Sequence, residues 1–374
     1  MCTALRRGSS RWARITTVAL HLRGVVLPDD VVRDVWIVGD RLTFEPVPGA
    51  ETVSTGGFLL PGLVDAHCHP GIAPGGPVTE VAEAKRLALI DRDAGVLTIR
   101  DAGSPLDYRE LDDDPEMPRL IRAGRHLAPH RRYIPGLAVE CEPSELAAAA
   151  AAQAELGNGW IKLVGDWIDR GAGDLGPTYD DATLAAAVAA AHRAGARVAV
   201  HTFSEAALPG LIAAGVDSVE HGTGLSLDLI DDMAARGTAL VPTMTNIETF
   251  GSIAAKAEPK FPGYADHMRR LQAGFPAVVR AAYEAGVPIY VGTDAGGGVA
   301  HGLAAGEMLR LAAAGMAPID VLAAGSWGAR EWLGLPGLEE GALADVVVYG
   351  DDPRTDLRVL EAPSRIVLRG RVVA

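Results

Sequence analysis

From residue 61 onward, short runs rich in Val, Ile and Leu alternate with Ala-rich stretches of helical spacing. That alternation arises when parallel strands are joined by helical crossovers. Eight runs are predicted as strands, at 63–69, 96–101, 119–123, 160–164, 197–201, 218–221, 239–243 and 289–294. Between them, 78–93, 144–156 and 179–194 read as amphipathic helices, and Gly95, Gly157 and Gly195 stand where a helix stops. Eight strand and helix pairs within about 270 residues match a closed (β/α)8 barrel, with a doubly wound open sheet as the competing arrangement. The flanks read differently, with short strands at 15–26, 34–38 and 41–44 and again at 345–349, 365–368 and 371–373. Neither flank can bury an apolar face alone. The chain is therefore expected to be α/β: a TIM barrel over 61–335, with 1–60 and 336–374 combining into a small β-sandwich domain.

Composition narrows the function more than the fold. Hydrophobic residues make up 48% and charged residues 22% of the 374 positions, as in a globular protein with a sizeable core. The net charge of -14 and the lack of a Lys/Arg stripe argue against a nucleic-acid partner and for a small-molecule one. Arg6, Arg7, Arg11 and Arg14 precede an apolar run at 15–20 that is interrupted by Thr16 and Thr17 and is short for a signal peptide. No apolar run approaches the roughly 20 residues of a membrane helix, so no membrane partner is expected and the cytoplasm is the default location. Cys2, Cys68 and Cys141 have neither disulfide-framework nor zinc-pair spacing. A closed homo-oligomer, with a dimer as the first guess, is the common state for such an enzyme.

The densest chemistry is Asp65-Ala66-His67-Cys68-His69 at the end of the first predicted strand. Alternate strand residues share a face, so His67 and His69 point the same way and form half of a metal site. Further candidates end other strands: His201 the fifth, His221 the sixth and Asp294 the eighth. Lys162 lies within the fourth strand, where an inward ammonium is costly to bury. The chain has only four lysines against thirty arginines, so Lys162 is not there merely for charge. A protonated lysine cannot bind metal, but a lysine carbamate offers anionic oxygens that can bridge two cations. The alternative is an unmodified Lys162 paired with Asp294 or with substrate.

These stretches resemble the amidohydrolase superfamily, nearest to its imidazolonepropionase-like and prolidase-like members, over almost the whole chain. The matching segments are Pro61-Gly62-Leu63-Val64-Asp65-Ala66-His67-Cys68-His69, Thr98-Ile99-Arg100-Asp101, Ile161-Lys162, Val200-His201, Val219-Glu220-His221-Gly222, Gly292-Thr293-Asp294-Ala295-Gly296 and the returning strand Gly341-Ala342-Leu343-Ala344-Asp345-Val346-Val347-Val348. The resemblance implies that His67, His69 and Asp294 hold one divalent ion, His201 and His221 a second, both zinc, with carbamylated Lys162 bridging them. Imidazolonepropionase works with one metal and lacks the strand-four lysine, so Lys162 favours two. Water shared between ions roughly 3.5 to 4 Å apart becomes a nucleophile near neutral pH. The resemblance gives Asp294 the role of general base toward that water and then of acid toward the departing nitrogen.

The reading is a metal-dependent hydrolase of a carbon-nitrogen bond, an amide in a peptide-like, N-acyl amino-acid or cyclic compound. Deamination, or cleavage of an ester, lactone or phosphotriester, uses the same activated water, and a non-catalytic barrel scaffold is the alternative from another class. Prolidase-like relatives carry Thr-Gly-Gly-His after the third strand, whereas this chain has His126-Leu127-Ala128-Pro129-His130-Arg131-Arg132-Tyr133, which puts a simple dipeptide in doubt. His130, Tyr133, Trp167 in the loop 165–177, and His301 are the candidate substrate contacts. Cys68 is expected to pack toward the helices, Arg100 to pair with Asp101 at the rim, and His21, His192 and His267 to be ordinary surface residues.

Overall fold

The computed structural model describes residues 18–374. Positions 15–17 of the first expected strand, Cys2 and the four early arginines lie outside the described residues. Seven of the eight core segments form strands: Leu63–Cys68, Val96–Asp101, Arg119–Arg122, Trp160–Val164, Arg197–Thr202, Ser218–His221 and Ala239–Val241. All of their pairings with one another are parallel, and neighbours follow chain order.

Two segments depart from the expected pattern. The third strand is in two pieces, because Gly124 at φ 69° turns the chain after Arg119–Arg122. The first piece pairs with the second strand. The second piece, His126–Ala128, pairs with the fourth and sets His126 level with Lys162, in a segment expected to follow the third strand and not to belong to it. The predicted eighth strand, 289–294, is not a regular strand at all; Pro288 lacks a donor and Asp294 is left-handed at φ 57°. It still joins its neighbours. Tyr290 donates to Leu240 O at 3.0 Å on one side, while Ala66 donates to Val291 O and Asp294 to His67 O, both at 2.7 Å, on the other. Gly292 permits this close approach, since a Cβ there would lie 2.4 Å from Val241 and 2.7 Å from His67.

Inside the strands, Val64, Ala66, Ala123, Trp160, Ala199 and Val241 make an apolar layer. Trp160 precedes Lys162 by two residues and Ala199 precedes His201 by two, so the chemistry-bearing side chains stand one layer above it. The flanking strands, including Leu20–Val26, Phe58–Pro61, Val346–Tyr349 and Arg365–Leu368, form one eight-stranded sheet around an apolar core of its own that includes Leu22, Ile37, Leu59, Val346 and Val367. Phe58–Pro61 pairs with both Leu20–Val26 and Val346–Tyr349, which ties the two ends of the chain into a single sheet. No helix among the described residues is long and apolar enough to cross a membrane.

Asp345 fastens that sheet to the core. It is fully buried, accepts from Arg119 Nε at 2.5 Å and Nη2 at 3.2 Å, and accepts the backbone N–H of Arg369 at 3.0 Å. Arg330, also buried, stands 3.8 Å away. Removing one member of a buried ion pair strands the other, at about 3–5 kcal/mol. Asp345→Ala is therefore expected to lose about that much stability in urea unfolding; an unchanged midpoint would contradict this role.

Candidate metal centre

The structure brings His67, His69, Lys162, His201, His221 and Asp294 to one cavity. His67 and His69 arrive through a register shift in the first strand between Asp65 and Cys68. The shift leaves Ala66 in the apolar layer and turns His67 inward as well. Asp65 holds it: its Oδ1 accepts the N–H groups of His67 and Thr293, each at 3.1 Å, and its Oδ2 accepts the Thr293 hydroxyl at 2.6 Å. His221 and Asp294 reach the cavity by another device. His221, Thr243 and Asp294 all adopt left-handed backbone, at φ 66°, 49° and 57°, following or ending successive segments. Such conformations cost about 1–3 kcal/mol each at non-glycine residues and persist where the surroundings enforce them. Here the turn lets Glu220 and the next residue, His221, both face inward.

The donor atoms fit a cation. His69 Nδ1 donates to Gly103 O at 2.8 Å, and a carbonyl can only accept, so the proton sits on Nδ1. His67 Nδ1 donates to Glu220 Oε2 at 2.6 Å. The two Nε2 atoms thus present lone pairs to each other at 3.2 Å. Asp294 Oδ1 stands 3.1 Å from the first and 3.0 Å from the second. Two lone pairs and a carboxylate oxygen repel one another, and a shared cation converts all three into ligands. Beside them His201 Nδ1 faces His221 Nε2 at 2.9 Å, while His221 Nδ1 contacts the Thr243 hydroxyl at 2.7 Å. Ligand atoms of His67, His221 and Asp294 lie within 4.8 Å of one another. Burial pushes His201 down to about 3 and His221 well below the usual imidazole range, so both stay neutral as metal ligands must.

Lys162 Nζ lies 3.5 Å from His67 Nε2 and forms no ion pair with Asp294. Burial lowers its ammonium to about 8, against the pull of Glu220 and Asp294, which leaves a share of free amine near neutral pH. A free amine is the form that condenses with carbon dioxide.

Several groups that hold the donors were not evident from the sequence. Glu220 receives Arg100 Nη2 at 2.7 Å and 2.9 Å, and both are fully buried. Burial alone raises the Glu220 carboxyl, but Arg100, Lys162 and His67 hold it well below the usual range. Arg100 thus pairs with Glu220 and not with Asp101, because the two consecutive residues point to opposite sides of the second strand. Asn246 Nδ2 donates to Asp294 Oδ2 at 2.7 Å. Glu307 accepts the N–H groups of Met244 at 2.7 Å and Thr245 at 2.8 Å and so fixes the turn that carries Thr243 and Asn246. A carboxylate immediately before His221 was the one visible signal for any of these.

The cavity has a volume of about 460 Å³ and is lined by Tyr133 and Trp167 among others. Residues 165–177, expected as a loop, form a hairpin of Asp166–Asp169 and Asp174–Pro177 that projects Trp167 against Tyr133, with ring centroids 4.8 Å apart. The other two candidate contacts sit elsewhere. His301 donates to Asp91 Oδ2 at 2.7 Å under the helix Val81–Asp93, with Cys68 Sγ 3.4 Å from the same oxygen. His130 pairs with Glu140 at 2.6 Å and is 67% exposed. Of the histidines expected at the surface, His192 pairs with Asp217, His21 stacks on Trp36, and His267 bridges Asp174 and Glu205.

A sequence model of the amidohydrolase family matches residues 58–373. An uncharacterized protein of Mycobacterium tuberculosis is 54% identical over 359 residues, covering 96% of each chain. Among solved structures, a Xaa-Pro dipeptidase with methionine in its active site superposes with a TM-score of 0.80 at 24% identity, over 95% of this chain and 99% of that one. A putative prolidase from Bifidobacterium longum gives 0.80 at 26% identity, over 95% and 94%. These likenesses imply a TIM-barrel-like fold, in keeping with the order of strands described above.

The hydrogen bond from His67 to Glu220 is the point at which the core acts on the donor atoms. Partners of ligating histidines typically change metal affinity about 10- to 100-fold when altered. Glu220→Gln is expected to weaken zinc affinity by about that factor in a chelator competition titration. Unchanged affinity would remove Glu220 from the site.

Proposed function

The chain belongs to the amidohydrolase family, and on that premise we propose that it is a metal-dependent hydrolase of a carbon-nitrogen bond, working at the mouth of a (β/α)8 barrel. Its substrate is an amide in a peptide-like, N-acyl amino-acid or cyclic small molecule. The observation that carries this reading is the convergence of two bare imidazole nitrogens and a carboxylate oxygen within 3.2 Å. His67, His69 and Asp294 would hold one cation and His201 with His221 another, with carbamylated Lys162 between them; nitrogen-rich donors of this kind suit zinc. Bound there, the cations polarise a carbonyl and acidify a water into a nucleophile near neutral pH.

The chain's own groups do the rest. Asp294 keeps Oδ1 among the histidines and has Oδ2 fixed by Asn246 at 2.7 Å. Its Oδ1 faces the two unprotonated Nε2 atoms, so a cation held there would keep Asp294 a carboxylate and let it enter the reaction as a base. It takes the proton of the attacking water as the carbon-oxygen bond forms and delivers it to the nitrogen as the carbon-nitrogen bond breaks. Tyr133 and Trp167 enclose the substrate on the side facing His201, with ring centroids 5.8 Å and 5.5 Å from that imidazole. The named activities of the Xaa-Pro dipeptidase and the putative prolidase support an amide over an ester.

Protein purified without added metal is expected to contain two equivalents of divalent ion and to hydrolyse N-acyl amino acids or dipeptides in preference to lactones. Turnover of lactones or phosphotriesters alone would replace the amide reading. Lys162→Ala is expected to lower metal content and activity together, with a short carboxylic acid restoring part of both. Full activity in that variant would defeat the bridging role.

A further inference from the structure

The lining of the cavity describes a ligand. One wall is apolar, built from Tyr133, Ile134 and Leu137 after the third strand and from Trp167, Ile168 and Leu175 of the hairpin. The helix Phe250–Ala257 also lines the cavity. Its Ile253 faces the cavity, and Thr249, Ser252 and Lys256 recur at intervals of three and four residues, which puts them on one stripe. Ile134 and Ile253 are 43% and 36% exposed, so the apolar lining continues to the rim. Single exposed aliphatics are ordinary, but two on the rim of one apolar cavity extend a binding surface.

Charge is sparse and one-sided. Among the described residues, Lys256 is, apart from Lys162, the only Lys or Arg side chain lining the cavity, and Asp294 is the only carboxylate. Lys256 is exposed at the outer end of the polar stripe. Asp294 is already engaged by His67, His69 and Asn246. A free ammonium entering the cavity would lose its water and find no partner, which is costly. A carboxylate would meet Lys256 with the hydroxyls of Ser252 and Thr249.

Resting on the amide reading above, we propose that the substrate is an amphipathic monoanion: an amide with a bulky aryl or branched-alkyl group against the hairpin wall, one carboxylate at Lys256 and no free ammonium. Lys256 and Ile253 are then specificity determinants of the site.

Sulfonamides are not hydrolysed as amides are, so they report binding without the reaction. Calorimetry on the metal-loaded protein should show naphthalenesulfonyl-glycine binding about tenfold or more tighter than methanesulfonyl-glycine, as burial of an aryl group requires. Ile253→Asn, at a position 36% exposed on the rim, should shrink that advantage at least threefold. Lys256→Gln should weaken naphthalenesulfonyl-glycine by about fivefold and leave the corresponding glycinamide unchanged. Equal binding of the two sulfonyl-glycines, or equal effects of Lys256→Gln on acid and amide, would overturn the proposal, as would a higher kcat/KM for free dipeptides than for N-aroyl-glycines. If the sulfonamides bind as stated and no amide is hydrolysed, the reaction reading fails while the ligand class stands.

Discussion

The structure is organised around a repulsion. Two imidazole lone pairs and a carboxylate oxygen are held within 3.2 Å of one another. Nothing in that trio attracts by itself. Each member is nevertheless fixed from behind, His69 by the Gly103 carbonyl, His67 by Glu220 and Asp294 by Asn246. A fold that spends so many hydrogen bonds on keeping repelling atoms together is preorganised for a cation, since the arrangement becomes favourable once positive charge is shared among them.

The cost of holding the trio spreads outward. Glu220 is a buried carboxylate, and burying it requires Arg100, whose guanidinium lies over Trp160 at 4.5 Å and donates to Ser218 at 3.0 Å. One hydrogen bond to His67 thus fixes the content of three strands. Three non-glycine residues take left-handed backbone to turn His221, Thr243 and Asp294 toward the interior. Glu307 then anchors the turn beyond Thr243 and is pushed up to about 7 by its own burial. Departures from local rules gather at this end of the strands, while the apolar layer beneath obeys them, as expected of a functional site on a rigid frame.

This division explains what the sequence disclosed. The strands carrying Lys162, His201 and His221 alternate regularly below the site, and pattern alone located them within a residue or two of the observed bounds. The eighth segment escaped because Gly292 and the left-handed Asp294 serve close approach and aim, not pairing. The second piece of the third strand escaped because Gly124 divides that strand's hydrogen bonds between two neighbours. His67 and His69 were legible from spacing, but Glu220 was not recognised, because the period of a strand gives no reason for residues 220 and 221 both to face inward. His301 was misplaced for a related reason: a histidine beyond a strand end can fold back beneath a helix, and Asp91, far away in sequence, supplies the partner that draws it there.

The central claim is that the converging donors are a site for two cations joined through Lys162. Anomalous diffraction at the zinc edge, from crystals of the zinc-loaded protein grown in bicarbonate, tests it most directly. One peak is expected among His67, His69 and Asp294, a second at His201 and His221, and continuous density from Lys162 Nζ to both. Absence of any anomalous peak among these side chains would contradict it.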